Sequence, residues 1–228
     1  MSNAGRIVVL GGHGKVALLA APRLTTLGYA VDSVIRNPDH AADIEAAGGS
    51  PVVLDIESAS EEQLAEAFRG ADAVVFSAGA GGGDAARTRA VDYEAAARSM
   101  AAAEAAGVRR YVLVSYAGAA VDVDRLDPED SFYPYAKAKH DADEGLRATG
   151  LDYTILGPGM LTLEDATGEI DLADEHGEGR EREIAAEDRK TSRANVAEVI
   201  AHVIANGAAL RETVNFYDGS TPIAEAIR

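Results

Sequence analysis

Tyr135 and Lys139 are the residues of this chain best spaced to do chemistry together. Four apart on a helix, they share one face. A phenol can hand a proton to a developing alkoxide, but its ordinary pKa of about 10 makes it a poor base at neutral pH. A neighbouring ammonium favours the phenolate and eases that transfer. Ser115 follows the apolar run Val112-Leu113-Val114 and offers a hydroxyl that can hydrogen-bond a substrate oxygen. Serine, tyrosine and lysine in this arrangement serve hydride transfer, with the lysine also able to hold the ribose hydroxyls of a nicotinamide cofactor. Tyr133 and Lys137 have the same spacing. Tyr135 and Lys139 are preferred, because Pro134 suits a first helical turn and leaves Tyr133 at its edge.

Hydride transfer needs a dinucleotide, and residues 7–17 read as its site. The run Ile7-Val8-Val9-Leu10 ends in Gly11-Gly12-His13-Gly14 and passes through Lys15 and Val16 to Ala17 in a helical pattern. Strand, glycine turn and helix in that order form a phosphate cradle, because glycine lets the backbone come close and the helix start offers free N–H groups. A Walker loop is excluded, since Val9 and Val16 stand where it needs glycine and a hydroxyl. The second strand ends in Arg36 and Asn37, where an NAD-preferring site carries an acid. A guanidinium there can clasp a 2′-phosphate, so NADP(H) is favoured over NAD(H). Lys15 adds a second positive charge beside the phosphates or lies on solvated helix surface. Asp55 can accept from the adenine amino group, with Ile56 packed on the ring. Ser77, Ala78 and Gly79 place small residues along the ribose, followed by a flexible loop at residues 81–83. Pro158 and Gly159 form a turn whose backbone groups can meet the nicotinamide carboxamide.

These positions need a sheet to hold them. Short β-branched runs at residues 6–10, 30–35, 51–54, 73–76, 110–114, 152–156 and 213–217 predict seven strands buried on both faces. Helical periodicity fills residues 14–27, 38–47, 60–68, 84–106, 135–149 and 193–206, with a short helix after Pro222. The alternation predicts an α/β fold: one Rossmann-type domain over residues 1–228, a doubly wound parallel sheet of about seven strands with helices on both faces. The charged, glycine-punctuated stretch at about 160–192 is expected as a hairpin and loop over the site, a mobile lid or a surface excursion.

Composition narrows the function. The chain carries 21 Lys+Arg against 38 Asp+Glu, a net charge of −17. That balance disfavours nucleic acid and anionic membranes as partners. There is no cysteine, so disulfides, thiol nucleophiles and zinc–thiolate sites are excluded. The five histidines show no metal-ligand spacing. No apolar run reaches the length of a membrane span and no signal-peptide pattern stands at the start, where residues 1–4 read as an expression remnant. A cytoplasmic protein acting on a small molecule, as monomer or homodimer, is the expectation. The five carboxylates within residues 121–131, against one arginine, argue weakly against an anionic substrate.

The chain resembles the atypical short-chain dehydrogenase/reductases, in the small single-domain NAD(P)-binding group called NAD-dependent epimerase/dehydratase-like, near the NmrA-like proteins and the biliverdin/flavin reductases. The resemblance spans residues 6–228. It rests on Gly11-Gly12-His13-Gly14-Lys15-Val16-Ala17, Val34-Ile35-Arg36-Asn37-Pro38, Ser77-Ala78-Gly79, Val91-Asp92-Tyr93-Glu94-Ala95-Ala96, Tyr135-Ala136-Lys137-Ala138-Lys139 and Asp152-Tyr153-Thr154-Ile155-Leu156. It implies cofactor bound across the carboxyl ends of the strands and oxidoreductase activity; a non-catalytic redox sensor and a nucleotide-sugar epimerase or dehydratase are the alternatives. Two departures stand out: Ala17 takes the place of the phosphate loop's third glycine, a mild change, and the turn after the sixth strand differs more. The family often has Arg-Pro-Gly after the sixth strand, whereas here Gly157-Pro158-Gly159 removes a charge near the site.

Overall fold

A computed structural model of the chain describes residues 4–81 and 84–228; residues 1–3 and two of the three loop glycines, at 82 and 83, lie outside the described residues. The order along the chain opens with β1 (Gly5–Leu10), α1 (Lys15–Thr26), β2 (Tyr29–Ile35), α2 (Ala41–Ala46), β3 (Ser50–Val53), α3 (Glu61–Phe68) and β4 (Ala73–Phe76). There follow α4 (Ala85–Thr88), a π-helical turn (Arg89–Ala95), α5 (Ala96–Ala105), β5 (Arg110–Val114), α6 (Asp122–Arg125), α7 (Tyr133–Arg147) and β6 (Asp152–Pro158). The chain closes with β7 (Met160–Thr162), β8 (Glu169–Ala173), β9 (Lys190–Ser192), α8 (Arg193–Ala205), β10 (Glu212–Asp218), β11 (Thr221–Pro222) and α9 (Ile223–Ala226).

The fold is the expected α/β Rossmann-type arrangement. Nine strands form the main sheet in the order β11-β8-β10-β6-β5-β4-β1-β2-β3. The seven expected strands are its parallel ones, and β8 and β11 extend it antiparallel beyond β10. Strand order reverses between β1 and β4, which opens a crevice at their carboxyl ends.

Alternation along the strands feeds two cores. Ile7 and Val9 face α1 and α8 with Val16, Leu24, Val196 and Ile200. Val8 and Leu10 face the other layer, with Leu64, Phe68, Met100 and Leu146 from α3, α5 and α7. Packing both faces in this way is why the strands read as near-continuous apolar runs.

One segment differs from the sequence expectation: residues 84–106 are not one regular helix, since a π-helical turn interrupts them. Residues 160–192 hold a tight antiparallel turn in which Ala173 bridges Gly179 and the Arg180 amide donates to the Leu172 carbonyl. β7 and β9 pair in parallel as a separate two-stranded sheet, while β8 joins the main sheet. These short strands sit among acidic residues, where apolar periodicity is too brief to show.

Candidate active site

The glycine turn is shaped by contacts within the protein. Gly11 sits at φ +76° with its α-carbon against Ala78, where a Cβ would lie 2.7 Å from the Ala78 Cα. Gly12 lies on β2, where a Cβ would come 2.6 Å from that of Ser33. Close approach to β4 and β2 therefore demands glycine at both positions. Gly14 is the N-cap of α1 and has no side-chain cap, so the amides of the first helical turn face outward.

Beside this turn runs a groove of about 440 Å³. Gly11, His13, Gly14, Arg36, Asn37, Asp55, Ile56, Ser77, Ala78 and Gly79 all line it. Of the other expected cofactor residues, Gly12 is buried behind the turn, Val16 packs into the core and Lys15 is exposed beyond the groove. The Asn37 side chain accepts from the Asp39 amide, and Asp55 accepts from the Glu57 amide. His13 stacks on His40 at 3.6 Å and meets Asp43 at 2.7 Å.

Arg36 is largely exposed and lies 3.8 Å from Glu57. Arg87, which sequence reasoning missed, approaches the same carboxylate at 3.6 Å. Two guanidiniums share the Glu57 carboxylate at the groove's rim, so donors remain there for an anion, although Asp55 balances the lining as a whole. The uncapped amides, the glycine contacts and this pair fit the adenosine and phosphate portions of a dinucleotide.

A second cavity, of about 620 Å³, lies at the ends of β5 and β6. Ser115, Tyr135, Pro158 and Gly159 line it, with Tyr116, Phe132 and Tyr217. Tyr135 packs at 5.4 Å from the Tyr116 ring and 5.3 Å from that of Phe132. Pro158 ends β6 rather than opening a turn. Its carbonyl accepts from the Ala117 amide, and the Gly159 amide donates to the Phe216 carbonyl and the Thr191 hydroxyl oxygen.

Tyr135 and Lys139 share one face of α7, with the Lys139 Nζ 6.0 Å from the centre of the phenol ring. Lys139 is buried and lines neither cavity. Its ammonium donates to the Val114 carbonyl at 2.8 Å and lies 3.4 Å from Asp92. The competing pair is arranged differently, because Lys137 is turned to Asp141 at 2.6 Å and remains half exposed.

Two buried carboxylates, unforeseen in the sequence reading, complete the cluster. Asp92 stands on the π-helical turn and accepts from the Ala80 amide, while its Oδ1 has no hydrogen-bond partner among the described residues. Asp143 accepts from Ser115 at 2.9 Å, and its Oδ1 is likewise unpartnered. Asp143 lies one turn beyond Lys139, so its four-residue spacing from Lys139 was the available signal. Asp92 could be found only within the quoted Val91–Ala96 motif.

These acids change the electrostatics. Burial pushes Tyr135 above the usual tyrosine value; the Lys139 charge opposes this, but Asp92 and Asp143 add to it. Lys139 therefore acts on the phenol in the expected direction, but burial and the two acids outweigh it. Burial works against the Lys139 ammonium, yet Tyr135, Asp92 and Asp143 hold its pKa above the ordinary lysine value. Burial raises Asp143 to about 6, against the Ser115 hydrogen bond and the positive charges of Arg147, Lys139 and His140. The Ser115 proton is aimed at Asp143, so its oxygen offers lone pairs to the cavity.

Gly157 also has a local cause. A Cβ there would collide with Asn215 Oδ1. The space beside Gly157 is filled from the neighbouring strand β10.

With this geometry in view, the relatives are informative. A family model described as NAD(P)H-binding matches residues 11–207. The uncharacterized sugar epimerase YhfK of Bacillus subtilis is 31% identical, with 98% of this chain and 99% of that protein covered. The UPF0659 protein YMR090W of Saccharomyces cerevisiae is 33% identical, covering 98% of this chain and 97% of the relative. Among solved structures, a Bacillus halodurans protein assigned as an NAD-dependent epimerase/dehydratase is 31% identical, covers 97% of both chains and superimposes with a TM-score of 0.84. The oxidoreductase ylbE of Lactococcus lactis is 29% identical, covering 97% of this chain and 94% of its own, with a TM-score of 0.80. The chain belongs to the NAD(P)H-binding family.

Proposed function

We propose that this NAD(P)H-binding family member is an NADPH-dependent reductase of a small carbonyl compound, with Tyr135 as its proton donor. The observation that supports it most is that Tyr135 and Ser115 line one cavity while the glycine turn and Arg36 line a groove at the same edge of the sheet. In this reading Arg36, with Arg87, takes the 2′-phosphate, and the amides opening α1 take the diphosphate. A nicotinamide held there would supply the hydride.

Tyr135 gives its proton to the oxygen that becomes an alcohol. A phenol whose pKa lies above its ordinary value is protonated at neutral pH, which suits reduction. Lys139, fixed by Val114 and Asp92, holds positive charge beneath the ring and steadies the phenolate left after transfer. Asp143 fixes the Ser115 hydroxyl.

The test is NADPH consumption over a panel of aldehydes and ketones, with NADH in parallel. Turnover with NADPH that collapses in Tyr135→Phe supports the reading. Interconversion of a sugar with no net NADPH loss would instead favour the epimerase chemistry named for the Bacillus subtilis relative. A stronger response to NADH than to NADPH removes the role given to Arg36.

A further inference from the structure

We infer that the cavity at Tyr135 takes a small molecule bearing a carboxylate beside a planar, largely apolar body. The inference rests on that cavity being the substrate site and names the substrate class. Three guanidiniums line it, from Arg125, Arg189 and Arg193, against one carboxylate, Asp122. In a chain of net charge −17 this is a local reversal of sign.

The three arginines are not equally committed. Arg189 is answered by Glu178 at 2.6 Å. Asp122 receives the Tyr116 hydroxyl proton at 3.0 Å. Arg125 and Arg193 have no carboxylate in ion-pair reach among the described residues. Among the described residues, Arg125 meets only the ring nitrogen of His176, at 3.0 Å. Arg193 spends Nη1 on the carbonyls of Leu161 and Thr162, which leaves Nη2 and Nε. It also occupies the first position of α8, where a cation opposes the helix dipole. An anion between these groups would offset that cost, and a carboxylate matches a guanidinium's paired donors.

The rest of the wall is largely apolar and aromatic. The Tyr116, Phe132 and Tyr135 rings lie 5.3–5.6 Å apart at mutual tilts of 38–80°, and Phe132 and Met160 remain 43% and 65% exposed. A planar ring can stack on one of these faces while meeting the edge of another. The acidic stretch 121–131 sends Asp122 and Arg125 to the cavity, but its other acids do not line it, so its composition misleads about the substrate.

The experiment is calorimetric titration of phenylglyoxylate and of its methyl ester into protein saturated with NADP⁺, where both partners are oxidised and nothing turns over. The acid is expected to bind at least about ten-fold more tightly than the ester. That preference should shrink to less than about three-fold in Arg125→Gln and in Arg193→Gln. Equal or tighter binding of the ester, no binding of either, or a preference that survives in both variants overturns the inference. The wild-type comparison decides even if Arg193→Gln loosens β7. A separate NADP⁺ titration shows whether any failure lies in cofactor binding instead.

Discussion

The groove and the cavity lie on the same edge of the sheet but are built in opposite ways. The groove is made almost wholly of turns that directly follow β1, β2, β3 and β4, each a few residues long. The cavity draws on the turn after β5, α6, α7, β6, β7, the loop at His176, Arg189 before β9, α8 and β10, which span about half the chain. A site made of consecutive strand ends is fixed once the strand order is fixed. A site gathered from distant segments depends on how each of them packs. The first can persist while the second is rebuilt for new chemistry.

The sharpest way to break this division is Tyr135→Phe. Removing the proton donor should lower turnover by about 10²–10⁴ while NADPH affinity, measured by titration, stays as it was. A parallel loss of cofactor affinity would show that cavity and groove are not separable.

Asp143→Asn probes the floor beneath the cavity. Folding raises the Asp143 pKa from 3.8 to about 6, so the folded state holds its proton more tightly than the unfolded one. The stabilisation from that proton is present below about pH 4 and is lost as pH rises through about 6. The groups facing it are Ser115, Arg147, Lys139, His140 and the Tyr135 phenol. The asparagine variant should therefore gain on the wild type between pH 4 and 6, by up to about 3 kcal/mol. Denaturant melts at pH 4, 5 and 7 check it, and a difference independent of pH refutes it.

Gly12→Ala tests whether the groove is set by packing. The added methyl meets Ser33, and about 1–3 kcal/mol of stability should go, with weaker NADPH binding. An unchanged melting temperature would mean that β1 and β2 separate easily. The smallest effect expected is that of Arg36→Ala: about ten-fold weaker NADPH binding with NADH unaltered. Equal loss for both cofactors would remove the distinction drawn at the groove's rim.

The same contrast explains what the sequence could reveal. The seven parallel strands were legible because burial on both faces leaves unbroken β-branched runs. The groove residues from Gly11 to Gly79 were legible because each stands just after such a run. Arg87 escaped notice, since nothing local marks a helical arginine as facing Glu57. Asp143 was within reach at the next turn after Lys139, but Asp92 was not, because its inward aim depends on the π-helical turn. Arg125, Arg189 and Arg193 stand among many acids in the chain, and only folding gathers them.

Gly157 and Asn215 share side-chain space, because a Cβ on the first would run into the amide oxygen of the second. Any larger residue at 157 is therefore disfavoured while Asn215 keeps its present rotamer, and shortening Asn215 should relieve the clash. The two positions are coupled, so substitutions there should combine non-additively.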